Sequence, residues 1–334
     1  MEMIRSDLSS LGISHDIFTS ENDIVKNKFV IKAVDILKKQ SHAEEGFLDP
    51  PKGEDSKNWK KIKRLIFKSK NFGDDNNRAL QKNDGSWTYF ANDLAYHLNK
   101  IERNYDKLIN ILGADHTGYI KRIEAGVRAL SNNKTELNCK VCQLVKLFKS
   151  GKPFKMSKRS GDFISVDELL QEVNKDGIRF MMLNRSNDVE LEFDFDKVLE
   201  KSKDNPVFYV QYCYARINSI YNTINLNLNE SIKIDKKDFS LNKYERDLLR
   251  KIFEWPKIIK TSSEKYEPHR IPFYLYELSN LFHTYWSKGN EDDKFRFIVN
   301  NKIKSKSTLI IIKAVELVIQ NGMNILGVSL PKKM

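Results

Sequence analysis

The chain has 334 residues, enough for two or three domains that each bury a core. Hydrophobic residues make up 40% and charged residues 31%, a globular balance that excludes wholesale disorder. Lys and Arg number 57 against 45 Asp and Glu, and the resulting +12 leans toward a polyanionic partner, with solvated lysine as the alternative. No apolar run is expected to cross a bilayer, since Lys313 and Glu316 interrupt the segment after Leu309. The opening MEMIRSDLSS lacks the apolar core of a signal peptide. Cys139, Cys142 and Cys213 cannot build a disulfide framework, so a reducing cytoplasm is the default.

The first predicted element is a helix over 23–40, where Val25, Phe29, Val30, Ala33, Val34 and Leu37 recur on one face. Pro50 and Pro51 mark the next stretch as loop, residues 62–67 read as a strand, and Lys82–Gly85 reads as a hairpin turn. From Trp87 to about Leu183 the texture is α/β. A helix over 92–100 leads to a strand over 107–112, a helix over 119–130 and a strand over 137–148, which implies a parallel sheet with crossover connections. From about Ser202 the pattern is helical, with amphipathic runs near 205–224, 241–260, 268–287 and 306–321 and polar connections at 225–237 and 287–293. A helical bundle is expected.

Three segments could carry chemistry. Gly113-Ala-Asp-His-Thr-Gly-Tyr119 follows an apolar strand, where a parallel sheet receives ligands. Its glycines permit a tight turn, and Asp115 and His116 offer hydrogen bonds, although an ordinary βα turn reads the same way. Lys155-Met-Ser-Lys-Arg159 is a glycine-flanked basic loop suited to a triphosphate, or a solvated one. Asp204-Asn-Pro-Val-Phe-Tyr-Val-Gln-Tyr212 opens a helix that presents Phe208, Tyr209, Tyr212 and Arg216 at spacings of three and four. That stripe is either core or a rim that stacks on bases. Cys139 and Cys142 have no second pair at zinc spacing, and no metal site is expected.

Taken in this order, the segments resemble arginyl-tRNA synthetases, which are class I aminoacyl-tRNA synthetases. The resemblance extends to Leu11–Phe18, Asp49–Gly53, Phe72–Leu80, Asp84–His97, Asp176–Arg185 and Asn324–Met334. It implies the second half of a Rossmann-like class I nucleotide-binding sheet plus a helical anticodon-binding bundle, that is, α/β followed by all-α. The implied domains are the remainder of an insertion at 1–85, the C-terminal half of the catalytic domain at 86–200 and the anticodon-binding domain at 201–334.

Carried over position by position, the resemblance places Tyr89 and Asp93 in an arginine pocket, where a carboxylate would meet the guanidinium. It places Gly113, Asp115 and His116 in the ATP site together with Lys155, Met156, Ser157 and Lys158. Lys155 and Lys158 are the catalytic lysines that steady the phosphates as the amino-acid carboxylate attacks the α-phosphate. Tyr212, Arg216 and Tyr285 are the implied tRNA contacts. The implied partners are tRNA, arginine and ATP as substrate, with Mg²⁺ arriving on the nucleotide rather than in a dedicated protein site.

Two departures stand out. None of the histidines at 15, 42, 97, 116, 269 and 283 lies in the family's His-x-Gly-His-type signature. The expectation is therefore that the N-terminal half of the catalytic fold is absent, that the chain alone is inactive, and that a separately encoded N-terminal half is a possible partner. The competing reading is a non-catalytic tRNA-binding protein. The second departure is Ser307-Thr308, where the family often has alanine and arginine in the last long helix.

Overall fold

The structure is a computed structural model that describes residues 1–48, 62–154, 164–225 and 240–334. In chain order, α1 (Glu2–Ser10), α2 (Glu21–Lys26) and α3 (Phe29–Lys39) lead to the strands β1 (Ala43–Gly46), β2 (Arg64–Phe67) and β3 (Arg78–Ala79). Next come α4 (Tyr89–Ile101), β4 (Lys107–Gly113), a 3-10 turn (Ala114–Tyr119), α5 (Ile120–Ser131) and β5 (Glu136–Cys142). They are followed by β6 (Val145–Lys149), β7 (Lys152–Pro153), α6 (Val166–Glu172), α7 (Lys175–Leu183), β8 (Leu191–Asp194) and α8 (Phe195–Leu199). The remainder is α9 (Pro206–Thr223), α10 (Lys243–Lys265), α11 (Arg270–Glu291), the hairpin of β9 (Ile298–Val299) and β10 (Lys302–Ile303), and α12 (Lys306–Leu326). The order is α/β followed by all-α.

By its contacts the chain divides into two compact units, His15–Gln143 and Met1–Ser14 with Leu144–Met334. The unit His15–Gln143 has its own core, in which Val34 and Leu37 of α3, Phe67 of β2, Leu94 and Ala95 of α4 and Ile123 of α5 pack together.

Within His15–Gln143, the helix expected over 23–40 is two helices. Lys28 adopts a left-handed backbone, φ 57°, and ends one before the other begins. The Asp84-Gly85 turn forms as expected, with Gly85 at φ 81° and an antiparallel bridge between Gln81 and Trp87. β4 and β5 run parallel in register from Lys107↔Glu136 to Gly113↔Cys142, with α5 as the crossover between them. Gly126 lets α5 lie close on α4, because the end of Leu94 occupies the space where a Cβ would go.

The other unit holds a second small sheet and the bundle. The strand expected over 137–148 is broken at Gln143-Leu144: β5 pairs with β4, whereas β6 pairs in parallel with β8 and antiparallel with β7. In the bundle, Val210, Cys213 and Ile217 of α9 share a core with Leu275, Leu278 and Phe282 of α11 and Ile312, Val315 and Ile319 of α12. The expected loop at 287–293 is mostly helical, since α11 continues to Glu291, and Gly289 packs against the backbone of Phe295 and Arg296. The expectation that no apolar run could cross a bilayer does not hold for α12. By length and composition α12 is apolar enough to span a bilayer, yet its Leu309, Ile312, Val315, Ile319 and Met323 are buried in the bundle.

Candidate active site

The site begins with the entry to α4. The Thr88 side chain accepts the Ala91 N–H and caps the helix, which puts Tyr89 in its first turn and Asp93 one turn further on the same side. Tyr89 is 80% exposed, with the Lys82 ammonium 5.5 Å from its ring centroid. Asp93 is half-buried and fixed at both ends. Its Oδ2 accepts a hydrogen bond from the Tyr119 phenol, and its backbone carbonyl takes a bond from the ring of His97.

A polar chain ties α4 to β4 behind this carboxylate. Lys100 Nζ donates to Asn110 Oδ1 at 3.0 Å, which orients the amide so that Nδ2 donates to His97 Nε2 at 2.9 Å. His97 Nδ1–H is therefore the donor to the Asp93 carbonyl, at 2.8 Å. Burial, with Lys100 adding to it, pushes the His97 pKa down to about 4, so the ring is neutral. Burial pushes the Asp93 carboxyl above its ordinary value, against the pull of the Tyr119 phenol. The Tyr119 hydroxyl is driven far up by burial and by Asp93, and it keeps its proton as a donor.

The turn after β4 lies where the two parallel strands end together, at Gly113↔Cys142. Asp115 folds back over Gly113, and a Cβ there would meet Asp115 Oδ1 at 2.7 Å, so any larger residue at this position would push the Asp115 carboxylate aside. Asp115 and His116 stand 3.6 Å apart and are both exposed, a polar pair presented beyond the strand ends. Lys155, Met156, Ser157 and Lys158 lie outside the described residues, as does Asp49–Gly53.

In the bundle, Arg216 is caged. It donates from Nη2 to the Tyr212 hydroxyl at 3.0 Å and from Nη1 to His283 Nδ1 at 3.0 Å. Its guanidinium lies 4.3 Å from the Tyr212 ring and 5.3 Å from Trp286. His283 donates through Nε2 to the Tyr209 carbonyl, and burial pushes its pKa down to about 4.

Tyr285, expected to touch tRNA, is instead a core residue. It is 1% exposed, packs edge-on against Phe297, accepts from Asn242 Nδ2 and donates to the buried Glu245. The hydroxyl of Thr308 donates to the same Glu245 oxygen, so the Ser307-Thr308 departure serves an internal network at the start of α10. Cys139 and Cys142 are three apart on β5 and point to opposite faces, and burial pushes the Cys139 thiol up to about 11.

Reading the sequence alone singles out the Gly113–Tyr119 segment but does not link Tyr119 to Asp93, nor His97 and Asn110 to the polar chain behind it. The available signal was the i, i+4 pair Asp93 and His97, with His97 on the apolar face of the predicted helix.

Polar groups gather beyond the ends of two parallel strands and a helical bundle follows, an arrangement in keeping with a class I synthetase. Two family models match, "tRNA synthetases class I (R), catalytic domain" over residues 2–222 and "DALR anticodon binding domain" over 210–334. The chain belongs to the class I arginyl-tRNA synthetase family. It is 58% identical over 334 residues to an arginine–tRNA ligase of Pelagibacter ubique, covering 100% of this chain and 58% of the relative. An arginine–tRNA ligase of Roseobacter denitrificans is 44% identical over 341 residues, again covering 100% of this chain and 58% of the relative. The solved Thermus thermophilus arginyl-tRNA synthetase shares the fold, with a TM-score of 0.71 at 18% identity, covering 98% of this chain and 62% of that one. The chain thus spans 58% of the length of the curated relatives it matches.

Proposed function

We propose that these 334 residues carry one wall of an arginine-activating cleft together with its tRNA-binding bundle, in an enzyme of the cytoplasm. The observation that carries this reading is the half-buried carboxylate of Asp93, held by Tyr119 beside a turn that ends two parallel strands. A carboxylate fixed in partial burial suits a guanidinium, which supplies the charge and the paired donors that water supplied before binding. Tyr89 flanks the guanidinium. Gly113, Asp115 and His116 receive the nucleotide, and Lys155 and Lys158, with Met156 and Ser157 between them, steady its phosphates. The arginine carboxylate then attacks the α-phosphate of ATP, the bond to the β-phosphate oxygen breaks, and pyrophosphate leaves. Mg²⁺ enters as part of the nucleotide substrate. Tyr212 and Arg216 contribute to tRNA binding.

The part of the relatives' length that these residues do not span would supply the opposing wall. Two features support this. Among the described residues β4 and β5 form a two-stranded sheet by themselves, and Ile109 and Ile111 of β4 are 47% and 65% exposed. A parallel pair with an apolar face in water is a poor end state for a sheet.

The test is arginine-dependent ATP–pyrophosphate exchange with tRNA, using the 334-residue chain alone and mixed with a fragment covering the rest of the Pelagibacter ubique relative. Exchange only in the mixture is expected. Turnover by the chain alone at the rate of a full-length relative would overturn the one-wall reading. Tight tRNA binding with no exchange in either case would favour a non-catalytic tRNA-binding protein.

A further inference from the structure

We propose that Tyr119 is the positioning residue for the guanidinium-binding carboxylate: its phenol pins Oδ2 of Asp93 and leaves Oδ1 for the substrate. The inference rests on the arginine-pocket reading of Asp93. Among the described residues the Asp93 side chain takes its hydrogen bond at Oδ2 from Tyr119, and the backbone carbonyl is held separately by His97. The phenol is itself placed by two further contacts. Phe90 of α4 meets its ring edge-on at 6.3 Å, and the Arg122 guanidinium lies 5.1 Å from the ring centroid. The hydroxyl position is therefore set before any ligand arrives.

Such a donor is needed because burial works against the charge on Asp93. The groups that face the carboxylate come from three elements. Glu21 of α2 opposes its ionisation, while Lys100 of α4 and His116 of the turn favour it. Tyr119 is the group with a direct hydrogen bond. It also closes the turn that carries Asp115 and His116, so one backbone segment holds the groups assigned to the nucleotide and the donor that sets the arginine carboxylate. The arginine pocket is thereby tied to the geometry of the nucleotide turn.

The experiment is a ¹³C-aspartate NMR titration of the full chain and its Tyr119→Phe variant, with Asp93→Asn assigning the resonance. Tyr119→Phe keeps the ring against Phe90 and Arg122, so its melting temperature serves as the control for folding. The Asp93 midpoint is expected to rise by about one pH unit on loss of the phenol. A midpoint that does not move overturns the proposal. The unaltered chain offers a second reading: the Tyr119 hydroxyl proton should give a slowly exchanging downfield resonance that disappears on acidification through the Asp93 midpoint. Its absence at neutral pH counts against the contact even where the variant fails to fold.

Binding of arginine against citrulline, its neutral counterpart, separates the two readings in the mixture with the complementary fragment. Tyr119→Phe should reduce the preference for arginine about tenfold and have no further effect in an Asp93→Asn background. If the preference is absent from the start while the Asp93 midpoint moves, the pocket reading fails and the positioning contact stands. If the preference is present and the midpoint stays, the positioning role fails and the pocket reading stands.

Discussion

Acid should weaken the His15–Gln143 unit through His97, and the size of the effect follows from the burial of that ring. His97 is 5% exposed and neutral, donating to the Asp93 carbonyl and accepting from Asn110. Its pKa is about 4 in the folded chain against an ordinary 6.5, so between these values the unfolded state binds a proton that the folded state refuses. Stability from the neutral ring is complete above about pH 6.5 and is lost as pH falls toward 4. At about 1.4 kcal/mol per pH unit the whole window is worth on the order of 3 kcal/mol, and about 2 kcal/mol is gone by pH 5.

The perturbation is His97→Gln, and the assay is urea unfolding followed by circular dichroism at pH 7.5 and pH 5. The variant is less stable at pH 7.5 because the chain from Lys100 through Asn110 to Asp93 is interrupted. Its deficit should shrink by about 2 kcal/mol at pH 5, since it has no imidazole to protonate. His283, also held neutral but in the other unit, leaves a second acid-sensitive step that His97→Gln does not touch. A deficit of the same size at both pH values would refute a neutral buried His97.

Three further outcomes are expected from the packing. Gly126→Ala gains about 1 kcal/mol of helix propensity, but its Cβ meets Leu94 in the core, and overpacking costs about 1–3 kcal/mol. Thermal unfolding should therefore show a net loss, and a rise in melting temperature would contradict the close α4–α5 contact. Thr308→Val removes one of the two hydroxyls that donate to buried Glu245 and should cost about 1–3 kcal/mol in urea, whereas a neutral result would mean that the bond from Tyr285 is sufficient to hold the carboxylate. Arg216→Ala should weaken tRNA binding and lower the slope of log affinity against log salt by about one. An unchanged slope would assign Arg216 to the aromatic cage alone.

The sequence reading was most successful where one face of an element meets one core. The apolar spacing of Val30, Ala33, Val34 and Leu37 is the buried face of α3, and the Asp84-Gly85 turn lies where its backbone demands. The position of the Gly113–Tyr119 turn at the end of a parallel strand was legible too, because a short apolar run closed by glycine has few other readings. The break at Gln143-Leu144 was not legible, since both flanking stretches are apolar and only their strand partners differ. The family resemblance put Tyr285 among the tRNA contacts, but a carried-over position does not report whether the ring faces Phe297 or water. The bond from Tyr119 to Asp93 was not legible either: the carboxylate is 26 residues away on α4, and local patterns do not report which carboxylate a phenol reaches.

The most direct measurement of the arginine-pocket claim is the dependence of ATP–pyrophosphate exchange on arginine concentration in the mixture with the complementary fragment, before and after Asp93→Asn. Removing the charged partner of a guanidinium in a partly buried site should lower kcat/KM for arginine about 10²- to 10³-fold while the KM for ATP changes little. An arginine dependence that survives Asp93→Asn unchanged would contradict the assignment of this carboxylate and of the pocket built around it.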